Sequence, residues 1–313
     1  MSDSVQPPRT AVTRHGYVGP APDEAGWGPI AELLEGAYRD SGFAGGVSQV
    51  PLDRMVHDML SARRAEEQVA ELRRCGDLAG KRILEVGSGC GSLLVYGRAF
   101  HGLDIHGIEP GSQSDFSTTM AVCHRLLDHH GLSHDVVREA SGEAIPHPDA
   151  SFDIVYSSNV LEHVGDPAAV LAEAIRVLKP GGILCFVVPN YGSWWEGHYG
   201  ELWLPHMPAW LAKLYVRALG RDPSYVDTLN LVNRGRMERW LAPHRDRIEI
   251  LDWGWSVFEY RLSTLDFSEW AALSVTKRVA SWVHRLGLLR PVLWLARRLH
   301  WETPLILTLR KRA

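Results

Sequence analysis

The sequence has no apolar run long enough to span a bilayer and no signal-peptide core near residue 1. Its four cysteines, Cys75, Cys90, Cys123 and Cys185, form neither a CxxC pair nor a metal-ligand spacing. These absences argue against an integral membrane protein, a secreted disulfide scaffold and a zinc ribbon. We therefore expect reduced thiols and a cytoplasmic location.

The chain also has no excess of basic residues. Lys and Arg number 33 against 37 Asp and Glu, a formal net charge of −4, which disfavours bulk nucleic-acid binding. A length of 313 residues is sufficient for a sizeable core. Internal repeats are absent, and residues 1–26, rich in Pro, Gly and Ser, are expected to form a mobile arm.

A glycine-rich turn follows the first strongly apolar segment. Residues 83–86 read as a buried strand, Gly87, Gly89 and Gly91 follow at alternate positions, and a helical pattern begins at Ser92. Residues without a Cβ permit the bend and let a ligand lie on the N–H groups at the helix N-terminus. Glu85 in the apolar run suggests a cationic or multi-donor ligand, because an unpaired buried carboxylate is costly. The alternative is a tight turn that binds nothing.

The next predicted strand ends in an acid, Glu109, before Pro110. An acid about 20 residues beyond such a turn suits a bidentate contact to ribose hydroxyls. Ser92 stands where the dinucleotide-binding pattern would place its last glycine, so the pyrophosphate cradle is missing. We therefore expect a nucleoside ligand without phosphates.

These segments resemble the class I S-adenosylmethionine-dependent methyltransferases. Residues 83–91 match the first motif of that family and Glu109 its ribose-binding acid, and residues 145–155, 159–164 and 178–182 match later motifs in order. The resemblance implies S-adenosyl-L-methionine as methyl donor and S-adenosyl-L-homocysteine as product. It also implies a set of cofactor-binding residues: Glu85, Gly87, Ser88, Gly89, Gly91, Glu109, Pro110, Asn159 and Val160. Where many relatives carry an acid for the adenine amine this chain has Ser141, which leaves that contact to Ser141, the Gly142 backbone or Glu143.

Strand and helix patterns alternate over residues 82–190, with a short strand expected at 135–139, which predicts an α/β fold. An amphipathic helical pattern precedes them from Leu52 through Leu72. The expected architecture is a Rossmann-like, doubly wound, mostly parallel seven-stranded sheet with helices on both faces. Residues 27–80 are expected to form a helical cap that covers either the cofactor or the sheet edge, with Arg63 and Arg64 as solvated charges. Residues 81–313 are expected to form the methyltransferase domain, with an aromatic-rich insertion at 191–233 and a basic helical insertion at 256–302.

Four residues are candidates for acid–base catalysis: His163, just beyond the predicted fourth strand, and Glu196, His198 and His206 in the aromatic insertion. The Trp and Tyr residues of 191–210 could either stack on an acceptor or form a small aromatic core of their own. We assemble no ligand cluster from the sequence and expect no metal.

The segment 277–300 carries six Lys or Arg residues, no acid and interleaved apolar residues. It could lie on an anionic membrane, form a dimer face or pack as a helix pair with exposed arginines. We expect packing on the core or on a second subunit, with peripheral membrane contact secondary, and a monomer or homodimer. Pro291 is expected to divide the segment into two helices.

The predicted function is methyl transfer to a hydroxyl of a small molecule or glycan, in a natural-product or cell-surface saccharide pathway. Alternatives are N- or C-methylation of a small acceptor, a non-catalytic nucleoside-binding scaffold, and an oxidoreductase.

Overall fold

The computed structural model describes residues 10–12, 18–20, 27–40, 43–48, 50–111, 118–265 and 274–313. Most of the predicted arm, 1–26, lies outside these residues. Two short strands within it, β1 (Thr10–Val12) and β2 (Val18–Pro20), pair in antiparallel orientation. Among the described helices, none has the length and apolarity required to cross a membrane.

A seven-stranded sheet forms the centre of the molecule, in the order β10-β11-β7-β6-β3-β4-β5. Its strands are β3 (Arg82–Val86), β4 (Asp104–Glu109), β5 (Val137–Glu139), β6 (Phe152–Ser158), β7 (Leu178–Val188), β10 (Ile248–Asp252) and β11 (Leu305–Lys311). Only β11 runs against its neighbours. The mostly parallel seven-stranded sheet predicted from the sequence is therefore confirmed.

The chain passes from β3 outward through β4 and β5, then returns to place β6 and β7 on the other side of β3. This reversal of strand order opens a crevice at the carboxyl end of β3, where ligands of such sheets bind. A small hairpin of β8 (Trp195–Glu196) and β9 (Glu201–Leu202) stands beyond the end of β7.

Helices cover both faces of the sheet. Their bounds are α1 Gly28–Asp40, α2 Phe43–Gly46, α3 Leu52–Leu60, α4 Ala62–Arg73, α5 Ser92–His101, α6 Thr118–His129, α7 Pro167–Val177, α8 Ala209–Ala218, α9 Arg234–Leu241, α10 Trp255–Thr264, α11 Ser274–Arg285 and α12 Leu289–Leu299. One core packs α1 and α3–α6 on the sheet, and a second packs α7 and α9 on the opposite face. Successive residues of β3 point to opposite faces, so Ile83 joins the first core and Leu84 the second.

The start of α7 shows how local sequence sets an element next to the crevice. Asp166 accepts hydrogen bonds from the N–H groups of Ala168 and Ala169, at 2.9 and 3.1 Å, and Pro167 occupies the first helical position. Both features are typical of a helix N-terminus. They fix the chain just after the Asn159–Val164 motif.

Three predicted boundaries differ from those observed. The amphipathic stretch 52–72 is two helices, divided at Ser61, whose side chain accepts from the Arg64 N–H at 3.3 Å. In the basic insertion the break is at Gly287, whose φ is +68°, and Pro291 lies inside the first turn of α12. Proline is tolerated there because the first N–H groups of a helix have no partner. The predicted strand at 135–139 is a 3-10 turn, His134–Val136, followed by β5.

The aromatic insertion forms a small core of its own. Tyr191, Tyr199 and Trp203 are almost fully buried and pack with Met207 and Val226. Most of these rings are therefore structural, which favours the second of the two predicted roles. Trp194 and Trp210 remain 45% and 65% exposed.

Candidate functional site

The crevice at the end of β3 contains a cavity of about 330 Å³. The glycine turn, Ser158–Val160 beyond β6, and side chains from α1, α3 and α4 line it. Several residues predicted from the sequence meet here: Glu85, Gly87, Ser88, Gly89, Asn159, Val160, His163 and His198. The carboxyl ends of parallel strands converge at one edge, which explains why residues so distant in sequence lie together.

The glycine turn is held by backbone hydrogen bonds to β4. The N–H groups of Gly87 and Ser88 donate to the Ile108 carbonyl at 2.9 and 3.0 Å. Gly87, Gly89 and Gly91 all have positive φ, between +52° and +77°. A Cβ on Gly89 would meet nothing within 4 Å, because this glycine faces the cavity. The turn thus leaves space for a ligand directly over the N-terminus of α5.

Two buried carboxylates flank this space. Glu85 is 4% exposed, and within the described chain one of its oxygens has no hydrogen-bond partner. Burial, with the nearby charge of Glu109, raises the pKa of Glu85 well above its usual range. A ligand ammonium group would relieve this cost. Glu85 therefore fits the amino group of a methionine moiety.

Glu109 ends β4, as predicted, and contacts the turn. Its carboxylate accepts from the Gly89 N–H and from the Thr119 hydroxyl, each at 2.8 Å. Burial raises the pKa of Glu109, although both hydrogen bonds oppose this. Thr119, whose hydroxyl donates to this carboxylate, lines the cavity, so a ribose beside Thr119 would lie close to Glu109. Pro110 follows and does not line the cavity as described.

The predicted adenine contacts lie at the next strand end. The Ser141 hydroxyl donates to Glu143, whose carboxylate also accepts from the N–H groups of Gly165 and Asp166, at 2.9 and 3.3 Å. Glu143 thereby ties the loop after β5 to the start of α7. Among the described residues, the lining of the 330 Å³ cavity does not include Ser141, Gly142 or Glu143.

Arg64 corrects one sequence-based interpretation. It was expected to be a solvated charge, but its half-buried side chain lines the cavity from α4. Among the described residues its guanidinium makes no hydrogen bond or close ion pair, and its charge lowers the pKa of Glu85. An arginine beside a carboxylate that fits an ammonium group is suited to the carboxylate of the same amino acid.

The far end of the cavity carries a polar cluster. His163 and His198 line the wall, and their Nε2 atoms lie 3.2 Å apart. Nδ1 of His198 lies 2.6 Å from Glu196, which must accept the hydrogen bond because a carboxylate has no proton to donate when ionised. His198 is thus fixed with its Nε2 lone pair facing His163.

The charges in this cluster are set by burial and by Glu196. Burial, together with His198, lowers the pKa of His163 to about 3. Burial opposes the charge of His198 too, but Glu196 more than compensates and raises its pKa. Burial also opposes ionisation of Glu196, yet His198 and the Tyr199 N–H hold its pKa below the usual value.

The four candidate catalytic residues therefore differ in whether they reach the cavity. His163 and His198 face the cavity, whereas Glu196 is fully buried behind His198. His206 is exposed and packs beside Gly192, outside the described cavity wall. The hairpin β8–β9 causes the difference, since it turns at His198 and has ended before His206.

A second cavity of about 260 Å³ adjoins the first, and the two share seven lining residues: Asp58, Arg64, Gln68, Ser158, Asn159, Pro189 and Gly197. Its remaining walls come from α4, α10 and the ends of β7 and β11, and include Trp195, Arg261, Leu262, Phe258 and Pro304. The arrangement is a cofactor-sized space that adjoins a second chamber lined by apolar residues and by side chains of both charges.

Sequence reasoning missed several of these residues. Arg64, Tyr38 and Gln68 line the first cavity from the cap helices, and Phe258 lines the second from the basic insertion. A helical pattern gives an amphipathic face but not what that face contacts. In the sequence Arg64 directly follows Arg63, so nothing there distinguished it from a solvated charge.

A family model described as a methyltransferase domain matches residues 84–186. The chain is 37% identical over 115 residues to a ubiquinone biosynthesis O-methyltransferase of Photobacterium profundum, covering 37% of this chain and 46% of that protein. It is 34% identical over 171 residues to an uncharacterized methyltransferase of Mycobacterium tuberculosis, covering 52% and 61%. The chain spans about half the length of the curated relatives it matches.

Among solved structures, phosphoethanolamine N-methyltransferase 2 of Haemonchus contortus, bound to phosphomonomethylethanolamine and S-adenosylhomocysteine, aligns with a TM-score of 0.49. The alignment has 16% identity and covers 90% of this chain and 60% of that one.

Proposed function

We propose that this chain, which carries a class I S-adenosylmethionine-dependent methyltransferase domain, methylates a hydroxyl group of a small molecule or glycan. The observation that carries the proposal is the meeting of the glycine turn and the His163–His198 pair in one cavity. Relatives named as O-methyltransferases support oxygen as the acceptor atom.

The described residues fit the cofactor. Glu85 and Arg64 offer opposite charges for the two ends of an amino acid, and the open space over Gly89 admits a ligand against the backbone. Glu109 supplies acceptors for ribose hydroxyls. S-adenosylmethionine bound there supplies a methyl group already activated on a sulfonium, so the protein mainly has to align the acceptor and exclude water.

The second cavity is where we place the acceptor. It opens beside α10, and it meets the cofactor space at Ser158 and Asn159. Trp195 and Phe258 offer flat apolar surface, while Arg261 offers a charge or hydrogen bonds to polar substituents. An acceptor lying there would enter from the side opposite the glycine turn.

Transfer forms an oxygen–methyl bond, breaks the sulfur–methyl bond and leaves a thioether, and the hydroxyl proton must go to a base. The His163–His198 pair is placed for this role, because Nδ1–H of His198 is committed to Glu196 and its Nε2 carries the lone pair. An incoming proton would stay on His198, because Glu196 raises its pKa, whereas burial and His198 lower the pKa of His163 to about 3. His163, at 3.2 Å, would only hydrogen-bond to that ring.

The test is methyl transfer from ¹³C-methyl S-adenosylmethionine to a panel of phenols, sugars and amines, read by NMR. We expect a new methyl signal with the chemical shift of an O-methyl ether. An N- or C-methyl signal would replace oxygen by another acceptor atom. Cofactor binding without transfer to any of these classes would favour a non-catalytic scaffold.

A further inference from the structure

Glu162 is a buried carboxylate that the proposed chemistry leaves unused. It is fully buried in the loop between β6 and α7, and within the described chain neither side-chain oxygen has a hydrogen-bond partner. Burial raises its pKa to about 7. A carboxylate in such a place is costly unless a cation joins it or it is protonated.

Two imidazole nitrogens face this carboxylate. Nε2 of His163 lies 3.9 Å from Oε1 of Glu162 and 3.2 Å from Nε2 of His198. The ligand atoms of all three residues lie within 4.8 Å of one another. Around a tetrahedral zinc ion, with bonds of about 2.0–2.1 Å, ligand atoms are about 3.3 Å apart. The histidine pair already has this separation. Glu162 needs to approach His163 by about half an ångström and His198 by at most about 1.5 Å to reach the same separation.

The orientation of His198 is typical of a metal ligand. Its Nδ1–H donates to Glu196 at 2.6 Å, and Glu196 is itself held by the Tyr191 hydroxyl at 3.1 Å and the Tyr199 N–H at 2.7 Å. A carboxylate behind an imidazole fixes its tautomer and increases its basicity towards a metal. The lone pair of Nε2 is thereby directed to the space between Glu162 and His163.

We propose that Glu162, His163 and His198 bind one divalent transition-metal ion, such as zinc or manganese, in the wall of the cofactor cavity. Two imidazoles and one carboxylate suit such ions, whereas magnesium and calcium prefer sites made of oxygen atoms. Three protein ligands leave at least one position open, and both histidines line the cofactor cavity, so the open side faces that cavity. An acceptor in the second cavity would reach it across the shared wall at Asn159 and Gly197.

From the sequence we expected no metal, because no ligand cluster could be assembled at the predicted strand ends. The third ligand, His198, comes from an insertion, 35 residues beyond His163. Only the fold brings His198 back over the end of β6. No regular ligand spacing of the kind seen in zinc motifs connects these residues.

This inference deepens the proposed function, since a cation here would hold the acceptor oxygen. The lone pair of His198 would then bind the cation instead of a proton. The hydroxyl would ionise on the cation, as zinc-bound water does near neutral pH, and its proton would pass to solvent water. The presence of the site is nevertheless measurable without acceptor or cofactor.

The experiment uses the full chain, stripped of metal with a strong chelator and titrated with Zn²⁺ or Co²⁺ alone. We expect one equivalent to bind, and Co²⁺ to show visible absorption bands of a low-coordinate nitrogen and oxygen site. Glu162→Gln, which keeps the side-chain shape, and His198→Ala should each weaken binding by more than the ~10–100-fold typical of losing a residue that only orients a metal ligand. Glu196→Gln should weaken it within that range.

The matched control is His244→Ala. His244 precedes β10 at the edge of the sheet opposite the cavity, so its loss should leave affinity unchanged. Circular dichroism and S-adenosylmethionine binding check that each variant is folded. Equal affinity in the parent chain, Glu162→Gln and His198→Ala would overturn the site, as would less than ~0.1 equivalent of bound metal. Metal binding without methyl transfer would instead keep the site and refute the proposed function.

Discussion

Replacing Gly89 and Gly87 by alanine, one at a time, separates ligand binding from folding. Gly89 has φ +52° and a Cβ there would meet nothing within 4 Å. Gly87 has φ +75°, and its Cβ would lie 2.4 Å from Cγ2 of Val160. Ordinary contacts between carbon atoms are about 3.5–4.0 Å, so Gly87→Ala must displace Val160 or the turn by more than about 1 Å.

The magnitudes follow from these contacts. A left-handed backbone costs an alanine about 1–2 kcal/mol at either position. Overpacking adds about 1–3 kcal/mol, and only at Gly87. The methyl group of Gly89→Ala would instead fill cofactor space and hold the ligand away from the N–H groups at the N-terminus of α5. Losing one or two such hydrogen bonds, at about 1.5–3 kcal/mol each, weakens affinity by at least ~10-fold.

Urea unfolding without cofactor and calorimetric titration with S-adenosylmethionine measure the two effects. We expect Gly87→Ala to lose more stability and Gly89→Ala to lose binding while remaining folded. The double variant Gly87→Ala with Val160→Ala should recover the packing part of the stability loss but not the backbone part. The reasoning fails if Gly89→Ala binds the cofactor as tightly as the parent chain.

Three further predictions concern other parts of the molecule. Glu109→Ala should weaken S-adenosylmethionine binding by about 2–4 kcal/mol in calorimetry. The control Glu139→Ala, at the exposed tip of β5, should not weaken it, and equal affinities of the two variants would contradict the ribose contact. His198→Ala should lower turnover ~100-fold or more with little change in cofactor affinity, and an unchanged rate would move the acceptor away from the histidine pair. From the sequence we expected the basic insertion to pack on the core or on a second subunit, but Trp282 on α11, Trp294 on α12 and Leu286 between them are exposed among arginines. We therefore expect salt-sensitive pelleting with anionic vesicles that is lost when Arg285, Arg290 and Arg298 become Glu, and parent-like pelleting of that variant would refute membrane contact.

The parts of the site that could be predicted from sequence are those built by neighbouring residues. The spacing of Gly87, Gly89 and Gly91 implied a turn because a strand that bends sharply into a helix needs residues without a Cβ at the bend. Glu109 followed from the same βα repeat. The resulting expectation of a parallel sheet with its ligand at the carboxyl edge needed no long-range information.

The parts that could not be predicted depend on tertiary contacts. His198 and His206 were equivalent in sequence, and the turn of β8–β9 places only His198 against His163. Arg64 seemed a surface charge because its neighbours on α4 include other arginines. Its burial depends on how α4 packs over α5, which a periodic pattern does not encode.

The measurement that tests the central claim most directly is a calorimetric titration of the full chain with S-adenosylmethionine, compared with NADH under the same conditions. Our account predicts one cofactor per chain and no heat from NADH, because the turn has Ser92 in place of the glycine that a pyrophosphate needs. It also predicts that Gly89→Ala weakens the binding of S-adenosylmethionine. Binding of NADH with equal or higher affinity, or no binding of S-adenosylmethionine by the folded chain, would contradict the account.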